Sequence, residues 1–64
     1  MHIKSVIEVV EIIVCDNDSD EELTNEQARA LADVELQRQG FSRRGWYIVY
    51  ETGGHNEILV RYER

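Results

Sequence analysis

The sequence predicts an α+β fold: one small β-α-β-β domain over residues 1–64, with a three-stranded, mainly antiparallel sheet and a single helix packed on one face. Three observations predict it. The run Ile3–Cys15 is apolar and mostly β-branched, a segment at 24–39 carries helix caps, and two aromatic and β-branched runs flank a Gly-Gly pair within 46–63.

The first run, IKSVIEVVEIIVC, fits both periods. Ile3, Val6, Ile7, Val10, Ile13 and Val14 suit a helix, whereas strict alternation is broken by the pairs Val9-Val10 and Ile12-Ile13. Composition decides for a strand over 3–15, because Val and Ile lose rotamer freedom in a helix and pack well on a pleated surface. A strand of that length with doubled apolar positions calls for a bend or bulge near Glu8 or Glu11.

An acidic loop follows over 16–23, with Asp16, Asp18, Asp20, Glu21 and Glu22 close together. Their mutual repulsion predicts an extended, mobile segment unless a cation binds it. Thr24 with Gln27 forms a capping box that opens a helix over 24–39. Gly40 stands where a left-handed glycine ends a helix, and Phe41 can fold back on Leu36. Ala28, Leu31, Ala32 and Leu36 share the expected buried face, with Ala30 and Val34 on a second, smaller patch.

The hairpin over 46–63 pairs WYIVYE with EILVRYE around Thr52–Asn56. A loop of even length would put Tyr47, Val49, Ile58, Val60 and Tyr62 on the helix side. It would leave Trp46, Ile48, Tyr50, Leu59 and Arg61 on the other, with Arg61 over Trp46 as a cation–π pair. One helix covers one side of a sheet, so that second face is the expected interface, between copies in a homodimer or higher oligomer or with a dedicated protein partner.

Size and composition bound the function. A chain of 64 residues makes a marginal core, and a single cysteine allows no internal disulfide, which leaves oligomerisation as the common stabiliser. No secretory signal and no apolar stretch of membrane-spanning length is present, so the cytoplasm is expected, without a membrane. The net charge is −6 and uneven: ten acids against Lys4 and Arg29 in residues 1–35, three acids against five arginines in 36–64. That balance argues against direct nucleic-acid binding, although Arg43, Arg44, Trp46 and Tyr47 form a small basic-aromatic cluster.

No residue pattern indicates catalysis, a metal or a cofactor. Asp16, Asp18 and Asp20 have the spacing that opens a calcium loop, but Glu21 stands where glycine is needed and Gln27 where a bidentate glutamate is needed. Glu35, within the helix's apolar arc, is expected to pair with Arg38 rather than to keep a raised pKa. Cys15 sits beside acids, which suits an inert, partly buried thiol. His2 and His55 have no partner at a useful spacing, Ser42 lacks a nucleophile-elbow setting, and Gly53-Gly54 does not open a helix.

The expectation is a small acidic interaction protein that binds another macromolecule, such as a basic host protein. Its carboxylates would stand in for phosphates, as in small inhibitors from phages and mobile elements, an analogy of size and composition. The alternative is an oligomeric module holding a planar ligand between subunits, lined by Trp46, Tyr50 and Tyr62.

Overall fold

The structure, a computed structural model, describes residues 8–16, 18 and 20–64. Within them the chain order is β1 (Val9–Cys15), α1 (Asn25–Arg38), β2 (Tyr47–Thr52) and β3 (Glu57–Glu63). The three strands form one antiparallel sheet in the order β1-β3-β2, so the last strand is central. The expected α+β, β-α-β-β architecture is what the chain adopts. Residues 3–7 of the expected first strand lie outside the described residues.

The register of β1 on β3 runs unbroken from Val9–Glu63 to Cys15–Glu57. The backbones of Glu8 and Arg64 exchange hydrogen bonds of 2.7 and 3.0 Å and continue the ladder one pair further. The bulge expected near Glu11 is therefore absent. The doubled apolar pairs are accommodated by letting one member of each face outward: Val9 and Ile13 are exposed, while Val10 is half-buried and Ile12 buried.

Helix α1 begins and ends as its caps dictate. The Thr24 hydroxyl accepts from the Gln27 N–H, and the Gln27 side chain accepts from the Thr24 N–H, both at 3.2 Å. At the other end Gly40 has φ 94°, the Gly40 N–H reaches Gln37 O and the Phe41 N–H reaches Leu36 O. This is the Schellman pattern, which satisfies carbonyls that the helix end would otherwise orphan.

The helix lies over β1 and β3 and buries Ala28, Ala32 and Leu36 completely. Leu31, expected on that face, is 57 % exposed. At about 100° per residue it projects about 100° from the centre of the Ala28–Ala32–Leu36 stripe. Two alanines let the helix approach the sheet so closely that only this narrow ridge makes contact. Opposite it lie Ile12, Val14, Ile58, Val60 and Tyr62, with Phe41, Trp46, Ile48 and Tyr50 packed around them.

The hairpin differs from the even-loop expectation, and this reassigns a whole strand. Opposed residues are Ile48 with Tyr62, Tyr50 with Val60 and Thr52 with Ile58. The Gly53 N–H donates to Glu57 O at 2.8 Å, which leaves a three-residue connection, Gly54-His55-Asn56. Asn56 takes φ 48°, the left-handed residue that closes such a loop. Directly opposed residues share a face, so the odd loop sends Ile48 and Tyr50 to the helix side and Tyr47 and Val49 to the open side. Among the described residues no helix is long and apolar enough to cross a membrane.

Candidate functional site: the open sheet face and the acidic end

The face of the sheet away from α1 collects the odd-numbered residues of all three strands. Val9, Glu11, Ile13 and Cys15 come from β1, Glu57, Leu59, Arg61 and Glu63 from β3, and Tyr47, Val49 and Glu51 from β2. Its apolar members are large and wet: Ile13 is 64 % exposed, Tyr47 59 % and Val9 50 %. Leu59 and Val49 lie half-buried between them. Ile13 stands opposite Leu59, and Val49 is the next residue on this face after Tyr47, while Val9 is set apart from them by Glu11 and Glu63.

Charge on this face is specific. Arg61 is central and half-buried, with Nε 3.2 Å from Glu11 Oε1 and Nη1 3.4 Å from Glu51 Oε1. One guanidinium thus bridges both outer strands. Four carboxylates, Glu11, Glu51, Glu57 and Glu63, are interleaved with these apolar residues, and Glu63 lies on the central strand between Val9 and Tyr47.

Of the five interface residues expected from the sequence, Leu59 and Arg61 are on the open face. Trp46, Ile48 and Tyr50 are not. Trp46 makes edge-to-face contacts with Tyr62 and Phe41 at centroid distances of 6.1 and 6.0 Å, and its indole N–H donates to Ser42 O at 2.6 Å. The cation over Trp46 is Arg64, 4.1 Å from the ring centroid, because Arg61 points to the opposite face. Arg64 Nε also pairs with Glu8 at 3.0 Å. Tyr62, expected beside a ligand site, is fully buried in the core. Val9, Ile13, Tyr47 and Val49 take the places of the misassigned three.

The acidic loop is held rather than loose at its two ends. Asn56 Nδ2 donates to Asp16 O at 3.1 Å and to Glu21 O at 2.8 Å, Asn56 Oδ1 accepts from the Leu23 N–H at 3.1 Å, and the Asp16 N–H reaches Asn56 O at 2.9 Å. One hairpin residue therefore ties three points of the loop to the end of the sheet. Sequence reasoning passed over Asn56. Its signal was available, since Asn tolerates the left-handed conformation and completes short loops through its side chain. Asp18, Asp20, Glu21 and Glu22 are exposed, and Asn17 and Ser19 lie outside the described residues.

Two open grooves border this end. One, of about 680 Å³, lies between the loop, the helix start and the hairpin turn, with Asp20, Glu22, Thr24, His55 and Glu57 among its lining. The other, of about 330 Å³, sets Asp16, Glu21 and Glu22 around Leu23, Ala30 and Leu31. Among the described residues no three His, Cys, Asp or Glu side chains stand together as a metal-binding group. Cys15, expected partly buried, is exposed at the last position of β1.

Glu35 pairs with Arg38 as expected. Both guanidinium donors lie 2.9 Å from its carboxylate, and this bond, with one from Gln39, holds the Glu35 pKa below the ordinary glutamate value. No family model matches the chain, and no curated protein or solved structure matches it.

Proposed function

We propose that this is a small acidic, non-catalytic interaction protein. It self-associates, and it binds another protein through the open face of its sheet. The supporting observation is that face itself: Val9, Ile13, Tyr47, Val49 and Leu59 lie around Arg61, interleaved with Glu11, Glu51, Glu57 and Glu63.

Charge narrows the partner. Two copies of this face laid on each other would bring four carboxylates against four, with one guanidinium on each side. A partner surface that sets apolar side chains beside lysine and arginine complements it instead. The acidic loop, tied to the same end of the sheet by Asn56, extends the negative field in which such a partner approaches. A protein that ordinarily binds a polyanion has this surface chemistry, so mimicry of phosphates is the form of recognition that the charge pattern supports best.

The test compares wild-type protein with Ile13→Asp and Leu59→Asp as baits for purified candidate partners that bind nucleic acid. Retention by wild type, loss in both variants at unchanged melting behaviour, and weakening at high salt are the expected results. Equal retention by wild type and the face variants removes the open face from the account.

A further inference from the structure

Among the described residues, the second outer strand, β2, is paired on one side and has no defence on the other. An exposed edge is usually blunted by proline, lysine, a bulge or a covering segment. The chain has no proline, β2 has no lysine, and its register against β3 is unbroken from Tyr47–Glu63 to Thr52–Ile58. The helix lies over β1 and β3, so Ile48 and Tyr50 beside it are only half-buried.

The backbone of that edge has a defined polarity. The Gly53 N–H points to β3, where it meets Glu57 O. Backbone groups alternate along an antiparallel strand, so Ile48, Tyr50 and Thr52 direct theirs outward. The other outer strand, β1, is the poorer site for a second copy. It carries Glu11, is flanked by Glu8 and Asp16 and runs into the acidic loop, so two β1 strands side by side would bring like charges together. β2 carries Glu51 alone.

We infer that a second copy of the chain pairs with β2 across a two-fold axis, β2 against β2, antiparallel, with Val49 opposite Val49 of the partner subunit. This rests on the self-association proposed above and specifies its geometry. In this register Ile48 meets Tyr50 of the partner subunit on the helix side, through residues that direct their hydrogen-bonding groups outward. A register one pair further would set Val49 against Glu51 of the partner subunit, apolar against acid.

Area gives the pairing a purpose. Three strands about 4.8 Å apart and seven residues long at about 3.4 Å each present a face of about 340 Å². A standard protein interface takes about 800 Å² from each side. Joining the β2 edges makes one six-stranded sheet, doubles the open face and leaves every helix on the other side.

The test is cross-linking in a Cys15→Ser background. Opposed residues of this kind lie about 4.5 Å apart between Cα atoms, within disulfide reach. Val49→Cys is expected to give a covalent dimer on mild oxidation. Glu51→Cys is not, since its two copies stand about 14 Å apart along the strands. A synthetic chain with the Tyr50 amide N-methylated loses one outward N–H and keeps its ladder to β3. It is expected to fall to single-chain mass with unchanged circular dichroism. A dimeric wild type whose Val49→Cys variant does not cross-link overturns this geometry and leaves self-association standing. A wild type of single-chain mass at every concentration overturns both.

Discussion

The Tyr62 hydroxyl donates to Asp33 Oδ1 across 2.5 Å and pins the helix to the central strand of the sheet. Tyr62 is fully buried and Asp33 largely so, while Arg29 approaches the same carboxylate at 3.8 Å one turn earlier. Burial first, and the bond to Asp33 second, push the Tyr62 pKa well above the ordinary tyrosine value.

This bond sets a pH limit. A folded pKa above the unfolded value means that the contribution of Tyr62 is fully present below about pH 10 and is lost as pH rises beyond it. Tyr62→Phe is expected to cost about 2 kcal/mol at neutral pH, the value of a hydrogen bond to a charged group, and to flatten the alkaline fall in stability. Urea unfolding of both proteins from pH 7 to pH 11 measures this, and an identical alkaline slope in the variant contradicts it.

Asn56 carries two separable contributions, a left-handed backbone and a side chain that ties down the acidic loop. Asn56→Gly keeps the backbone easy and removes the ties, with an expected cost of about 1–3 kcal/mol. Asn56→Ala adds about 1 kcal/mol for the left-handed residue. In both, hydrogen exchange at the Leu23 amide should speed up while the amides of β3 keep their order of protection. Unchanged exchange at Leu23 counts against the tie.

Leu31 and Leu36 look alike in sequence and differ in place. Leu36 is fully buried between helix and sheet, and Leu36→Ala is expected to cost about 2–5 kcal/mol. Leu31→Ala, at a site 57 % exposed, should change stability by about 0.5 kcal/mol or less. Equal losses in denaturant would mean that the helix is rotated from the position described.

These contrasts mark how far the sequence could be read. Helix caps are local chemistry, and Thr24, Gln27 and Gly40 act where their types predict. The three strands are likewise evident from their β-branched and aromatic residues. The two faces of β2 were not evident, because they depend on whether the hairpin loop holds an odd or an even number of residues. Gly53-Gly54 draws attention to itself, yet Asn56 is the residue that sets the parity. One step in that count moves Trp46, Ile48 and Tyr50 from the expected interface to the helix side, and Tyr47 and Val49 the other way. Leu31 was misplaced for a related reason: a helical wheel orders residues by angle but does not say how wide a stripe the sheet will cover.

On the proposal above a second copy pairs with the β2 edge of the sheet, and light scattering of the pure protein tests that most directly. The predicted result is a mass of twice 7.5 kDa that shifts toward one chain on dilution or on N-methylation of Tyr50. A constant 7.5 kDa from about 1 to about 200 μM would contradict it.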